Sequence, residues 1–175
     1  MNPRTCIGSV ARSKLAKFAT LSGPNAAMVE RLSTHFEWIT INPGKVIIRE
    51  GDPSDFLLLV ADGNLEITKL GKISQQLLGY ARTGSIIGEM GIFTGEPRYA
   101  TCRATKVSKV GLLTRERIQQ LQTQDLELYL ELVAFLGAYI ARRLAQVSKM
   151  VGTLKQQNEI AALAATRILG IAMAA

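Results

Sequence analysis

The spacing of apolar and polar positions changes twice along the chain. From Arg12 to Phe18, and again from Ala26 to Phe36, apolar residues recur at the period of an amphipathic helix, with the turn signal Ser22-Gly23-Pro24 between the two segments. Two short helices are expected there. From about Ile39 to Leu113 the runs become short and rich in strand-forming residues: Val46–Ile48, Phe56–Val60, Leu65–Ile67, Gln76–Tyr80, Ala100–Ala104 and Val107–Leu113. Pro43-Gly44, Gly51-Asp52-Pro53, Asp62-Gly63-Asn64 and Thr83-Gly84 punctuate them with turn chemistry. Many short strands at this spacing predict a sandwich, jelly roll or barrel.

Beyond Leu113 the pattern is helical again. Thr114 precedes Arg115-Glu116-Arg117 and is placed to cap a short helix. After Thr123-Gln124-Asp125, apolar residues fall at Leu126, Leu130, Val133, Ile140, Leu144, Val147, Val151 and Leu154. Gly137 and Asn158 fill the gaps, so the steps alternate four and three and continue through Ala161, Ala165 and Ile168. This is the a/d seam of a coiled coil, which calls for a partner helix. Leu132, Phe135, Leu136 and Tyr139 lie off the seam and are expected to pack on the strands; beyond Ala141 the flanks turn polar, as in a parallel homodimer. The expected fold is α+β: an antiparallel β-roll or jelly-roll barrel flanked by N-terminal helices and a long C-terminal dimerisation helix. Its segments are residues 1–38 (helical), 39–123 (roll) and 124–175 (dimer helix).

Composition narrows the function classes. The chain has 175 residues, of which 47% are hydrophobic and 20% charged, enough for a sizeable core and too apolar for global disorder. The net charge of +7 favours anionic partners. Its basic residues are spread out, with Arg4, Arg12, Lys14 and Lys17 near one end and Arg142, Arg143, Lys149, Lys155 and Arg167 near the other; no dense run resembles a nucleic-acid tail. Cys6 and Cys102 form neither a ligand spacing nor a disulfide framework, so the reducing cytoplasm is the expected compartment. No stretch reaches the ~20 apolar residues of a membrane span; the longest, Ala161–Ala175, is interrupted by Arg167.

The candidate chemistry lies in residues 84–101, Gly84-Ser85-Ile86-Ile87-Gly88-Glu89-Met90-Gly91-Ile92-Phe93-Thr94-Gly95-Glu96-Pro97-Arg98-Tyr99-Ala100-Thr101. Gly88 and Gly91 let backbone approach a ligand closely. Glu89–Phe93 suit one helical turn whose first amides face an anion. Arg98 offers a planar fork for two phosphate oxygens, and Glu89 offers two acceptors for a sugar hydroxyl. One guanidinium for a monoanionic phosphate and one carboxylate for a hydroxyl beside it suit a 3′,5′-cyclic nucleotide.

The whole pattern resembles the phosphate-binding cassette of the cyclic-nucleotide-binding domain family. Gly88, Glu89, Met90, Gly91, Ile92, Arg98, Ala100 and Thr101 carry the match. Pro43-Gly44 with Val46, Gly51-Asp52-Pro53, Phe56–Val60 and Gly63 before Leu65-Glu66-Ile67 resemble the family's opening strands. Ala141-Arg142-Arg143-Leu144, Ser148 and Val151-Gly152 look like the dimer helix of bacterial CRP-type regulators. The resemblance implies that Arg98 takes the cyclic phosphate and Glu89 the ribose 2′-OH. It further implies that the amides of Tyr99 and Ala100 add to phosphate binding, that Gly88 gives the close approach, and that Met90 and Thr101 complete the set. Arg143, Val147 and Ser148 would face the purine, one of them from a partner subunit.

The chain departs from the family in three places. Tyr99 stands where the family usually has a small residue or Thr/Ser, whose hydroxyl helps to accept guanine, and this favours cAMP over cGMP. Val147 replaces a polar base contact. After the heptads only Thr166–Ala175 remain, too few for a helix-turn-helix, so either a stand-alone sensor or a fragment of a CRP-like transcription regulator is expected, with no nucleic-acid contact from this chain. Catalysis is not expected. His35 is the sole histidine, and neither a metal cluster nor a Ser/His/Asp or Cys/His set is present. No cofactor is expected besides the cAMP or cGMP ligand. Two rivals remain: the regulator fragment, and a β-roll dimer that binds no cyclic mononucleotide. Ligand is expected to change the crossing of the paired helices, with Gly137 and Gly152 as adjustable points and a downstream partner of unspecified kind.

Overall fold

The computed structural model describes residues 26–172; the expected helix Arg12–Phe18 and Cys6 lie outside them. The first element, α1 (Ala26–Ser33), buries Met28, Val29 and Leu32 on one face. The helical spacing runs on to Phe36, but the helix stops at Ser33. The Ser33 and Thr34 hydroxyls donate to the Glu30 and Arg31 carbonyls at 2.7 and 2.9 Å, a local alternative to continuing the helix. His35 follows, half-buried, and burial first and then Arg117 push its imidazole below the ordinary value.

Eight strands follow: β1 (Glu37–Ile41), β2 (Val46–Ile48), β3 (Phe56–Asp62), β4 (Asn64–Leu70), β5 (Gln75–Arg82), β6 (Ile86–Ile87), β7 (Thr101–Ala104) and β8 (Ser108–Thr114). They make two antiparallel four-stranded sheets, in the orders β1-β8-β3-β6 and β2-β7-β4-β5. Alternation decides which residues meet between the sheets. Leu58 and Val60 of β3 and Val110 of β8 join Ile48 of β2, Leu65 of β4, Ala81 of β5 and Cys102 and Ala104 of β7 in one core. Leu57, Leu59 and Ala61 point the other way and are buried as well. A strand covered on both faces reads as a continuous apolar run, as Phe56–Ala61 does.

A short helix α2 (Glu89–Thr94) sits between β6 and β7. After β8 come α3 (Arg115–Gln124) and α4 (Leu126–Ala172). Thr114 caps α3 as its sequence position implies, its hydroxyl accepting the Arg117 amide at 3.3 Å. Asp125 caps α4 by accepting the Leu128 amide at 3.1 Å and takes Arg31 Nη2 of α1 at 2.8 Å, so α1 is tied to the start of the long helix. Those contacts, the capping amide first, hold its carboxyl below the ordinary value.

The fold divides at Phe135/Leu136. In the first unit, Leu128, Leu132 and Phe135 of α4 are buried. The second unit is a continuous helix, with Leu144, Val147, Val151 and Leu154 each more than half exposed along one stripe.

Two outcomes test the core. Leu58→Ala, at a fully buried position, is expected to cost about 2–5 kcal/mol in urea unfolding; a loss within the ±0.5 kcal/mol typical of a surface site contradicts this packing. Burial pushes the Cys102 thiol from 9.0 to about 11. In a Cys6→Ser background it is therefore expected to react with a disulfide reagent at pH 8 only as fast as the protein opens. The folded state favours the neutral thiol, so Cys102's contribution to stability is complete below about 9 and is lost as pH rises to about 11.

Candidate functional site

The site is built on the connection that leads into β3 and on the one between β6 and β7. Strand β6 pairs with β3 through Leu58↔Ile87 and Leu59↔Ile86, which sets Gly88 and Glu89 beside the start of β3. Gly88 has φ +86°, and a Cβ there would run into Arg98 Nη1 and stand 3.1 Å from the Phe56 carbonyl oxygen. Only a residue without a side chain lets this backbone lie against the guanidinium. Gly91 packs as closely: a Cβ there would strike the Ser54 side chain and stand 2.8 Å from the Glu96 carbonyl oxygen.

Arg98 is held on all but one side. Its amide donates to Asp52 O at 2.8 Å, and its carbonyl accepts from the Gly51 amide at 2.9 Å. Nη2 donates to Phe56 O at 2.8 Å and to Asp55 Oδ1 at 3.4 Å, while the guanidinium carbon lies 4.3 Å from the centroid of the Phe56 ring. The side chain is 3% exposed, yet Nη1 is buried with no hydrogen-bond partner. A buried unsatisfied donor costs about 1–3 kcal/mol, more when charged. Burial lowers the Arg98 pKa and Asp55 raises it. Asp55 is 66% exposed, so water weakens that pairing and leaves the cation under-compensated. A planar fork with a free donor can take an anion whose oxygens lie in its plane, and a phosphate has that chemistry.

Glu89, the first residue of α2, is 5% exposed. Both it and Arg98 act on the buried Cys102, the arginine lowering and the carboxylate raising that thiol's pKa. The two charged residues singled out in the sequence are therefore both near Cys102, and Gly88, next to Glu89 in the chain, lies against the head of Arg98.

The remaining expected site residues are placed as follows. Met90 on α2 is more than half exposed. Tyr99 is 62% exposed; its carbonyl accepts from Lys69 Nζ at 2.9 Å, and the same ammonium stands 3.4 Å from the ring centroid. Ala100 is half-buried. The Thr101 hydroxyl accepts the Glu50 amide at 3.0 Å, tying the start of β7 to the segment that follows β2. Arg143, Val147 and Ser148 are exposed on the second unit, with the Arg143 guanidinium 5.9 Å from the Tyr139 ring centroid.

Sequence reasoning missed the residues that support the cassette from elsewhere. Gly51-Asp52-Pro53 reads as a turn, yet the loop it opens supplies Asp52, Ser54, Asp55 and Phe56 to Arg98 and α2. Lys69 gives no local signal. Arg115 gave one: a cation at the first position of a helix opposes the helix dipole, which marks a residue retained for other contacts. Its guanidinium donates to Gly91 O at 3.0 Å, Ile92 O at 3.2 Å and Ser54 O at 2.9 Å.

Among the described residues no helix is long and apolar enough to cross a membrane, and no group of three or more His, Cys, Asp or Glu could hold a metal ion.

Comparison with known proteins agrees with this geometry. The family profile described as the cyclic nucleotide-binding domain matches residues 38–125. The cGMP-dependent protein kinase egl-4 of Caenorhabditis elegans is 32% identical over 117 residues, 65% of this chain and 14% of the kinase. The chain spans 8–14% of the length of the curated relatives it matches. A cyclic nucleotide-binding domain from Methylobacillus flagellatus shares the fold at a TM-score of 0.70 and 22% identity, covering 77% of this chain and 79% of that one. The catabolite activator protein of Thermus thermophilus superposes at 0.64 with 25% identity, over 76% and 61% of the two chains. The profile match takes in half of the chain and contains the whole cassette. The chain belongs to the cyclic nucleotide-binding domain family.

Proposed function

We propose that this protein is a cAMP sensor in which Arg98 takes the cyclic phosphate, Glu89 the ribose 2′-OH, and the amides of Tyr99 and Ala100 further phosphate oxygens. The observation that carries this reading is the buried Arg98 Nη1 with no partner, in contact with the Gly88 backbone. A binding module fits these residues better than an enzyme: a fixed cation and an acceptor hold a nucleotide, and the thiol near them, Cys102, is kept neutral by burial.

The preference for cAMP rests on Tyr99. Lys69 engages both its carbonyl and its ring. No small hydroxyl stands next to Arg98 to receive a guanine. The cGMP-dependent kinase among the relatives makes cGMP the competitor to measure.

Signalling is assigned to α4. The exposed stripe of Leu144, Val147, Val151 and Leu154 has heptad spacing, and burying one such side chain fully is worth about 1.5–3 kcal/mol. A second copy of this chain in parallel register would cover it and would bring a second Arg143, Val147 and Ser148 to the assembly. Ligand then shifts the helix pair only as far as its affinities for the two arrangements differ. The sensor is read as cytoplasmic, with a downstream protein partner.

Thermal melting with cAMP and with cGMP tests the site. At ~100 times its Kd a ligand is expected to add about 2.7 kcal/mol, more for cAMP at equal concentration. Arg98→Ala is expected to abolish the gain, since truncating one partner of a buried charged contact costs about 2–5 kcal/mol. Melting unchanged by either nucleotide, with Arg98 intact, sinks the reading. For the helix, sedimentation is expected to show a dimer that Leu144→Asp with Val151→Asp converts to monomer; a native monomer at tens of micromolar refutes the pairing.

A further inference from the structure

Lys69, near the end of β4, meets the far end of the cassette. Its Nζ donates to the Tyr99 carbonyl at 2.9 Å, stands 3.4 Å from the centroid of the Tyr99 ring and lies 3.6 Å from Glu50 Oε1. Glu50 is fixed in turn: its Oε2 accepts the Leu70 amide at 2.8 Å, and its own amide donates to the Thr101 hydroxyl at 3.0 Å. Both side chains are half-buried. A lysine in a solvated ion pair keeps most of its rotamer freedom; this one is tied to a backbone carbonyl, a ring and an anchored carboxylate.

The carbonyl that Lys69 holds belongs to the peptide that carries the Ala100 amide. In a planar trans peptide the C=O and N–H point in opposite directions, so a donor fixed on Tyr99 O turns the Ala100 N–H to the other side. The preceding peptide is held in the same way: the Gly51 amide donates to Arg98 O at 2.9 Å, which orients the Tyr99 N–H. Among the described residues neither of these two amides donates to another group. Two successive amides of this kind, next to the Arg98 guanidinium in the chain, are available to oxygens of one anion. The ring is affected separately. With the ammonium over it, one face of the exposed Tyr99 ring is taken and cannot stack on a base.

We propose that Lys69 is a positioning residue for this end of the site: it aims the Ala100 amide at the ligand's phosphate and, by holding the Tyr99 ring, sets the choice between adenine and guanine. This rests on the cyclic-nucleotide reading and deepens it. A lysine that serves the surface alone would leave both dissociation constants at their native values. A lysine that acts only through its charge would lose its effect in concentrated salt, where the screening length falls to about 3 Å at 1 M. A positioning residue changes affinity at either salt concentration and changes the two nucleotides unequally.

The test is calorimetric titration of the full chain with cAMP and with cGMP, at about 0.1 M and about 1 M salt. It compares the native protein with Lys69→Met, Lys69→Arg, Tyr99→Ala and the double variant Lys69→Met with Tyr99→Ala. Lys69→Met keeps the apolar stem and removes the donor. It is expected to weaken cAMP about tenfold at both salt concentrations, as the loss of one charge-assisted hydrogen bond does, and to move the ratio of the two dissociation constants toward one. Lys69→Arg, which keeps donors and a cation for the ring, is expected to restore most of both. Tyr99→Ala leaves the carbonyl and removes the ring, so in that background Lys69→Met is expected still to cost affinity but no longer to move the ratio. Melting without ligand checks that each variant is folded, and Lys69→Gln is scored in place of Lys69→Met should the latter not fold. Native dissociation constants in Lys69→Met, or a loss that vanishes in the higher salt, overturn the inference while the ligand reading stands. A ratio that Lys69→Met leaves unchanged overturns the role given to the ring. Failure of the native chain to bind either nucleotide removes the ligand reading first, and the inference with it.

Discussion

A guanidinium sealed inside protein with one nitrogen unpartnered is a demanding thing to maintain. Arg98 is kept there by backbone carbonyls, a half-solvated aspartate and an aromatic face. None of these neutralises it fully, and the unpartnered Nη1 lies against the backbone of Gly88, where no side chain is in the way. An anion within reach of Nη1 would stabilise such an arrangement, since charge-assisted hydrogen bonds in a low-dielectric site are the strong ones.

The surrounding fold can be understood as what holds that fork in place. Strand β3, covered on both faces, is the fixed reference. Its leading connection supplies the carbonyls, and β6, paired to it, delivers Gly88 and Glu89. The core between the sheets continues up to Cys102, which senses both charges of the site. Packing, and not hydrogen bonding alone, therefore helps to position the guanidinium, as it does in close-packed interiors.

Connection to the long helix uses a different kind of contact. Arg115 meets carbonyls rather than carboxylates, and Asp125 meets both a helix amide and Arg31. These hydrogen bonds lie at element ends, where small shifts are inexpensive, whereas the strand core resists deformation.

The alternation of short apolar runs and glycine turns determined by itself that a roll would form, because two-residue periodicity leaves little choice of which side chains face inward. The cassette was legible for a similar reason: Gly88, Glu89 and Arg98 are close in sequence, and what each residue type can do (close approach, an acceptor, a planar cation) is local information. The heptads of α4 were equally local, and so was the Thr114 cap. Tertiary structure alone decided how Arg98 is held. Asp52 and Asp55 on the loop before β3, and Phe56 at its start, lie far from Arg98 in sequence, and two of the three contacts use backbone carbonyls that any residue offers, so no local pattern encodes those partners. The end of α1 at Ser33 was likewise set by a contest between hydroxyls and helix amides that apolar spacing does not register.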